Sequence, residues 1–139
     1  MSDEPTDHSS FRPPDHLEVR SSPGRGRGVF ATRFLASGST IEVAPVIVIP
    51  EAERTLINPT ILSHYYYRWG RDQRDAAIAL GYASLYNHSF DPNAQYLKLT
   101  DRSVVEIVAI RDIEPGQEIT VNYNGDPTSR KLLWFEPLE

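Results

Sequence analysis

Runs of alternating apolar and polar residues fill most of the chain after residue 16. Alternation with a period of two places successive side chains on opposite faces, which predicts β-strands. Glycines and prolines separate the runs, so the predicted strands are short and their links are irregular. The runs predicted as strands are LEVR (17–20), GVFA (28–31), STIEVAPVIVIP (39–50), HYYYRW (64–69), AQYLKLT (94–100), SVVEIVAIRD (103–112) and EITVNY (118–123).

Prolines and turn residues refine this pattern. Pro45 and Pro50 are predicted to break the apolar run that contains them, because proline has no backbone N–H to donate. Pro50 is also a favourable start for a short helix, EAERTLI, which should end before Asn58 because a proline follows. A turn around Asp101–Arg102 joins two alternating runs into a predicted hairpin.

The fold class that these elements predict is mostly β with short helices, arranged in small sheets. The run DAAIALGYASLYNHS (75–89) adds one strand, which passes through Gly81 into a helical turn. No alternation of strands with long helices is present, which argues against a parallel α/β architecture. Residues 1–16 mix acidic, serine and proline residues with little to bury and predict a disordered tail before a folded domain at 17–126.

Composition excludes several classes of protein without selecting one. The chain has 139 residues, of which 40% are hydrophobic, and this suffices for one modest core. It has no cysteine and no apolar run of roughly 18 residues, so we expect no disulfide, no thiolate metal site and no membrane span. The N-terminus does not resemble a signal peptide, and a soluble intracellular protein of the cytoplasm, nucleoid or nucleus is expected.

Charge is distributed unevenly along the chain. The net charge of -5 argues against direct binding of nucleic acid. Residues 20–33 carry four arginines and no acid, whereas residues 84–139 hold nine acids against five bases. This distribution is either ordinary solvated charge or a basic stretch for a small anionic ligand and an acidic half for a cationic partner.

The glycine-rich stretch GRGRGVFA (24–31) has two functional interpretations. Gly26, Gly28 and Ala31 match the G-x-G-x-x-A fingerprint of dinucleotide-binding proteins, but neither a long helix nor a βαβ unit follows them. The second interpretation is a glycine turn that lets a ligand lie against bare backbone. A plain hairpin turn needs no ligand, and the motif by itself favours that simpler interpretation.

The stretch YNHSFDPNAQY (86–96) concentrates polar side chains between two tyrosines. Its DPN sequence is typical of a type I turn in which Asn93 bonds to nearby backbone. His88 is expected to be a buried structural imidazole. No histidine has the spacing of a metal ligand, and G-x-S-x-G is absent, so neither a metal site nor a serine hydrolase is expected.

A third candidate motif, EPGQEITVNYN (114–124), lies near the C-terminus. Strand alternation places Tyr123 on the face of Ile119 and Val121, so its side chain is expected to point to the core or to a pocket. Tyrosines are often buried only for their area, and that explanation would suffice for this motif alone.

Together, GRGRGVFA, NHSFDPNA (87–94) and EPGQEITVNYN resemble, in this order, the motifs of the SET-domain family of protein-lysine methyltransferases. The resemblance spans Gly24 to Asn124, about three quarters of the chain, and its second and third blocks are the specific ones. It implies a fold of small β-sheets with a C-terminal pseudoknot, S-adenosylmethionine bound on one face, and a peptide lysine entering from the other. The residues that it implies around the cofactor are Gly26, Arg27, Gly28, Asn87, His88, Tyr123, Trp134 and Phe135.

The resemblance also implies a narrow channel for the substrate lysine. Tyr123 and Tyr96 are its expected catalytic side chains: Tyr123 would orient the amine, and Tyr96 would hold a water or the amine and exclude further methyl groups. Spacing does not choose among three consecutive tyrosines for a second channel position. The expected channel residues are Tyr96, Tyr66 and Val121, with Tyr65 and Tyr67 as alternatives to Tyr66.

Two features depart from the family's pattern. Phe90 stands where the central motif usually has a cysteine, and the zinc-binding cysteine segment that follows the last motif in many members is absent. Residues 127–139 are therefore expected to cap the active site, with Trp134 or Phe135 over the cofactor or channel, or else to be an apolar cap on the core. Minimal members of this kind also occur as dimers, so a homodimer is one expected state.

The function implied is methyl transfer from S-adenosylmethionine to a lysine amine in a basic protein segment. An acidic C-terminal half and strand-like grooves suit an extended basic peptide. The main alternative is a catalytically silent SET-like module that binds a peptide, and the other is a nucleotide-dependent oxidoreductase. No nucleic-acid or membrane partner and no metal are expected.

Overall fold

The computed structural model describes residues 14–133, and all structural statements below concern this part of the chain. It is mostly β, as predicted, with one α-helix and one 3₁₀ helix in the described residues. In chain order the elements are β1 (Leu17–Ser22), β2 (Gly26–Ala31), β3 (Thr40–Ile49), α1 (Glu51–Ile57), the 3₁₀ helix (Ile61–His64), β4 (Tyr67–Trp69), β5 (Asp75–Ala79), β6 (Asn87–His88), β7 (Ala94–Leu99), β8 (Val104–Ala109) and β9 (Glu118–Val121).

A four-stranded sheet brings the two most specific sequence motifs together. Its strand order is β1-β2-β9-β6, and β9 pairs antiparallel with β2 on one side and parallel with β6 on the other. In the parallel pair, Asn87 lies opposite Thr120 and His88 lies opposite Val121. The neighbourhood of the central and C-terminal motifs, which the resemblance implied, is therefore present.

A five-stranded antiparallel sheet with the order β4-β5-β3-β8-β7 forms the rest of the fold. The prediction that Pro45 breaks its strand is wrong, because Pro45 lies inside β3. Pro45 faces Val104 at the end of the ladder with β8, and from Val46 onward β3 pairs with β5 instead. The missing N–H thus falls where the strand exchanges partners, while the Pro45 carbonyl still accepts a hydrogen bond from Leu80 N at 3.0 Å.

Other predicted elements are present, but some of the strands are shorter than predicted. Helix α1 and the β7–β8 hairpin are confirmed. Of the aromatic run 64–69, only Tyr67–Trp69 is a strand, because Thr60 caps a preceding 3₁₀ helix by accepting the N–H of Leu62. Strand β9 ends at Val121, so Tyr123 lies beyond the strand rather than on its apolar face.

The core draws its side chains from both sheets. Val29 and Ile119 from the first sheet, Ile41 and Ile107 from the second, and Ile113 from the link before β9 are all buried. Burying a side chain of this size stabilises the fold by roughly 1.5–3 kcal/mol. Half-buried tyrosines pack against the edge of this core: Tyr67, Tyr82, Tyr96 and Tyr123.

Parts of the predicted organisation fall outside the described residues. These are most of the predicted tail at 1–16 and the end of the C-terminal segment, including Trp134 and Phe135. Between residues 14 and 133, no helix has the length and apolar character that a membrane crossing requires.

Ile107→Ala should lower the free energy of unfolding by about 2–5 kcal/mol, because Ile107 is 0% exposed and the truncation leaves a cavity. Ile61→Ala is the matched control, because Ile61 is 68% exposed and loses little contact. Urea denaturation of both variants measures the difference, and equal losses of stability would contradict the assignment of the core.

Candidate active site

Two cavities meet at the C-terminal end of β9. The larger has a volume of about 450 Å³ and the smaller about 330 Å³. Tyr123 lines both of them, together with His64, Tyr65 and Ser84. Groups bound in the two cavities would therefore both lie beside Tyr123.

The smaller cavity joins the glycine-rich motif to the central motif. Gly26, Arg27 and Asn87 are part of its lining, and Arg25 also contributes. The Asn87 amide nitrogen donates to the Arg27 carbonyl at 2.9 Å and to Glu118 Oε2 at 2.6 Å. Asn87 Oδ1 accepts no hydrogen bond from any residue between 14 and 133, so it is available to a donor on a ligand.

Gly28 has a packing role beneath this cavity. It is buried and is not part of the cavity lining. A Cβ at this position would lie 2.2 Å from Glu118 Oε2 and 2.7 Å from the Asn87 amide nitrogen. The close approach of these two side chains therefore requires glycine, whatever ligand the cavity holds.

Glu118, which the sequence analysis did not select, connects three strands at this point. Its Oε1 accepts a hydrogen bond from Ser22 Oγ at 2.9 Å and lies 3.5 Å from the Arg25 guanidinium, while Oε2 holds Asn87. The available signal was strand alternation, which places Glu118 on the face of β9 opposite Ile119. The network fixes the glycine-rich turn against β9.

The larger cavity is lined mainly by tyrosines. The edge of the Tyr67 ring packs against Tyr96, with centroids 4.9 Å apart at an interplanar angle of 72°. The hydroxyl of Tyr96 donates to the Tyr123 carbonyl at 3.1 Å, and that of Tyr123 donates to the Tyr86 carbonyl at 2.6 Å. Val121 completes the wall below Tyr123. The residues of this cavity predicted from sequence are thus adjacent in space.

All three consecutive tyrosines line the larger cavity, but they differ in what their hydroxyls contact. Tyr66 donates to Asn58 Oδ1 at 2.7 Å and accepts from Arg54 Nε at 2.9 Å, so its hydroxyl is held by α1 and its C-cap. Tyr67 donates to the Ala83 carbonyl at 2.6 Å and packs on Tyr96. Tyr67 is therefore better placed than Tyr66 for the inner wall.

Burial keeps the tyrosine hydroxyls of the site protonated. Desolvation raises the pKa of Tyr123 to about 12, and it raises the pKa of Tyr96 to about 12 as well. A hydroxyl with such a pKa donates and accepts hydrogen bonds at neutral pH but does not act as a base.

His88 is buried, as predicted, and supports Tyr123 from behind. Its Nδ1 accepts a hydrogen bond from the Tyr123 N–H at 3.0 Å, and the two rings lie edge to face with centroids 5.3 Å apart. His88 is 4% exposed and is not among the residues that line the two cavities. Its contact with a cofactor stays a prediction, whereas its contact with Tyr123 is direct.

The expectation that Asn93 bonds nearby backbone is wrong. Its side chain bonds to the distant strand β9, donating to the Glu118 carbonyl and accepting from Thr120 N, both at 2.9 Å. Asn93 thereby takes the place of a strand neighbour along β9. This arrangement needs contact across 27 residues, which a turn pattern does not reveal.

Glu42 is the second polar residue that sequence analysis did not select. It is 0% exposed, on β3. Its Oε1 accepts from the Tyr86 hydroxyl at 2.7 Å and its Oε2 from Tyr82 N at 2.8 Å. Gly81, with φ of +67°, leaves no room for a Cβ, which would lie 2.3 Å from Glu42 Oε2. A lone acid within a β-branched run was the only sequence signal.

Metal binding has no support in this region. No group of three or more histidine, cysteine, aspartate or glutamate side chains within residues 14–133 is arranged to hold a metal ion.

Comparison with known proteins identifies the family. The SET-domain family model matches residues 26–124. A histone-lysine N-methyltransferase of Schizosaccharomyces pombe, specific for H3 lysine 37, is 31% identical over 121 residues, which cover 86% of this chain and 77% of that protein. The histone-lysine N-methyltransferase Set8 of Drosophila melanogaster is 34% identical over 131 residues, which cover 86% of this chain but 19% of that protein.

A solved structure agrees with this result. A Plasmodium falciparum protein assigned as a histone methyltransferase superimposes with a TM-score of 0.59 at 27% identity, covering 78% of this chain and 93% of that one. The fold, the family match and the relatives thus define a small β-rich methyltransferase domain. The chain belongs to the SET-domain family, and with it to the protein-lysine methyltransferases.

Glu42→Gln should destabilise the fold by about 1–3 kcal/mol. The NH₂ group of the new glutamine would face either Tyr82 N or the Tyr86 hydroxyl, both of which donate to Glu42 in the wild type. Burial raises the pKa of Glu42 above its ordinary value of 4.5, although the Tyr86 and Tyr82 hydrogen bonds oppose this shift. The native state therefore retains the Glu42 proton up to a higher pH than the unfolded chain does. The stability of the wild type relative to Glu42→Gln should therefore fall as the pH rises above 4.5.

Urea denaturation across a pH series measures this dependence. Glu106→Gln, which removes a carboxylate of the same sheet that bonds to Thr40, is the control. A stability difference between wild type and Glu42→Gln that grows with pH would contradict the assigned pKa shift.

Proposed function

We propose that the protein methylates a lysine side chain of another protein, with S-adenosylmethionine bound in the smaller cavity and the lysine in the larger one. The observation that carries this proposal is the shared position of Tyr123 in both cavities. Methyl transfer requires donor and acceptor to meet in line, and a common wall between two cavities supports such alignment.

The lining of the smaller cavity fits the donor. Asn87 Oδ1 is an acceptor for the amino group of S-adenosylmethionine, and Arg27 brings positive charge to a ligand that carries a carboxylate. Gly26 has a φ of +82°, and no heavy atom lies within 4 Å of the position that a Cβ would occupy, so the turn is open toward the smaller cavity. S-adenosylmethionine supplies the methyl group on a positively charged sulfur. Roles for His88, Trp134 and Phe135 toward the adenine remain part of the proposal.

The larger cavity suits the neutral form of lysine. An unperturbed lysine has a pKa of about 10.4, so losing its proton near pH 7 costs roughly 4–5 kcal/mol. A cavity lined by tyrosines and free of carboxylates among its described residues disfavours the ammonium form and lowers that cost. Exclusion of water acts in the same direction.

Tyr123 orients the reacting groups in this proposal. Its hydroxyl is directed at the Tyr86 carbonyl, and its backbone is held by His88 Nδ1 and by the Tyr96 hydroxyl. A residue whose backbone is held at two points and whose hydroxyl is held at a third loses little conformational entropy when the amine arrives. In this proposal the Tyr123 hydroxyl oxygen and the Tyr86 carbonyl are two of the acceptors for the amine, and carbonyl oxygens also make weak C–H···O contacts with a methyl group.

The substrate is proposed to be a lysine in a flexible, extended segment of a protein. The relatives named above are histone-lysine methyltransferases, which supports a protein substrate met inside the cell. The net charge of -5 supports attraction of a segment that is basic overall. Self-association remains a prediction.

Tyr123→Phe should reduce methyl transfer by about tenfold or more, because the oriented hydroxyl is lost while the ring remains. Incubation of each variant with labelled S-adenosylmethionine and a cell lysate, followed by identification of the labelled lysines, measures the effect. Tyr82→Phe is the matched control, because Tyr82 lines neither cavity. Equal labelling by wild type and Tyr123→Phe would refute the role of Tyr123. Donor binding by calorimetry without methyl incorporation would favour the silent peptide-binding module.

Tyr96→Phe should increase the share of dimethyl and trimethyl product. The Tyr96 hydroxyl donates a hydrogen bond to the Tyr123 carbonyl and occupies space near the proposed position of the amine. Without it, the cavity admits further methyl groups. Mass spectrometry of the product separates the methylation states, and identical distributions for Tyr96→Phe and wild type would exclude this role.

A further inference from the structure

The larger cavity carries an excess of positive charge at its wall. Arg68 and Lys98 line it, and none of its described lining residues is an aspartate or a glutamate. Two other arginines of the domain do have carboxylate partners, as Arg25 does with Glu118 and Arg111 does with Asp91. Arg68 and Lys98, by contrast, have no carboxylate partner among residues 14–133, although the protein has a net charge of -5.

Lys98 is held in place by neutral acceptors. Its ammonium group donates to the Arg68 carbonyl at 2.9 Å and to the side-chain oxygen of Gln73. These contacts fix the position of the charge without neutralising it. Burial, together with the positive charge of Arg68, lowers the pKa of Lys98, in keeping with a charge that is not compensated.

Arg68 is the more available of the two cations. It lies on β4 directly after Tyr67, and its side chain is exposed. The guanidinium group makes no ion pair or hydrogen bond with another residue of the described part, 14–133. Its planar N–H groups are therefore free to bind a carboxylate or phosphate in two-point fashion.

The position of Lys98 sets a distance from the proposed amine site. Lys98 follows Tyr96 by two residues on β7, so the two side chains lie on one face of the strand, about 7 Å apart at roughly 3.4 Å per residue. An extended substrate segment has the same repeat. When its lysine enters beside Tyr96, the side chain two residues away lies at the spacing of Lys98.

We propose that Lys98 and Arg68 form an anion-binding subsite, which selects target lysines that have an acidic side chain two residues away in an extended segment. This inference rests on the proposed function, because it takes the larger cavity as the lysine channel. The ligand is an anion of the substrate itself, a carboxylate of aspartate or glutamate or a phosphate on serine. Long-range attraction of a segment that is basic overall is compatible with this local requirement, because the subsite acts at contact distance.

The test uses short peptides with a single lysine and one variable residue two positions before or after it. The variable residue is glutamate, phosphoserine, glutamine or arginine. For the wild type, kcat/KM with labelled S-adenosylmethionine should be on the order of tenfold higher for glutamate than for glutamine in one of the two series, and lowest for arginine. The preference should decrease as salt is raised. A preference confined to phosphoserine would also support the subsite and identify phosphate as its ligand.

Charge reversal tests the two residues directly. Lys98→Glu and Arg68→Glu should each shift the preference from glutamate to arginine, and Lys98→Gln and Arg68→Gln should abolish it. Arg71→Glu is the matched control, because Arg71 is exposed in the adjacent loop but does not line the cavity, and it should keep the preference of the wild type. Equal rates for all four peptides, a preference for arginine in the wild type, or an unchanged preference in the reversal variants would overturn the proposal.

Fluorescence anisotropy with the same peptides separates this inference from the proposed function. Tighter binding of the glutamate or phosphoserine peptide that is lost in Lys98→Gln supports the subsite even if no methyl group is transferred. Absence of transfer to any peptide or lysate protein would refute the proposed function alone. Equal binding of all peptides would refute the subsite.

Discussion

The tyrosine-lined side of the domain depends on the hydrogen bonds that the buried carboxyl group of Glu42 accepts. A carboxyl group in the protein interior is strongly unfavourable unless it receives hydrogen bonds, and Glu42 receives them from Tyr82 N and the Tyr86 hydroxyl. The loop between β5 and β6 is thereby fixed against β3. Carbonyls of this same loop accept the hydroxyls of Tyr67 and Tyr123. The geometry of the larger cavity thus depends on a carboxyl group that lines neither cavity.

Polar side chains also replace strand pairing around β9. This strand has only four residues, and Asn93 extends its hydrogen bonding by pairing with the Glu118 and Thr120 backbone. On the other side, the Asn87 amide nitrogen donates to both the Glu118 carboxylate and the Arg27 carbonyl. The motifs of this family therefore have a structural role in this chain. A substitution at Asn87 alters both the wall of the smaller cavity and the attachment of the glycine-rich turn.

The positions of most strands could be predicted from sequence because alternation is a local property. The resemblance then supplied what alternation lacks, namely that Asn87–His88 lies beside the C-terminal motif. Glu42, Glu118 and the partners of Asn93 could not be predicted, since each depends on contacts between residues distant in the chain. The prediction that Pro45 breaks its strand is wrong for a similar reason: whether a proline interrupts a strand depends on which neighbouring strand needs its N–H, and a single sequence does not identify that neighbour. The pairing of Lys98 with the Arg68 carbonyl spans 30 residues and has no local signal either.

The hydrogen bond from Ser22 to Glu118 joins residues that are 96 positions apart, and the Asn87–Glu118 contact spans 31. Closing such loops has an entropic cost that must be met before the contacts can form. During synthesis, the β7–β8 hairpin can pair as soon as it emerges, whereas both cavities must wait for β9 and Tyr123. The two cavities would therefore be among the last features of the described domain to form, and a nascent chain that stops before β9 would contain all five strands of the second sheet but not Tyr123, which lines both cavities.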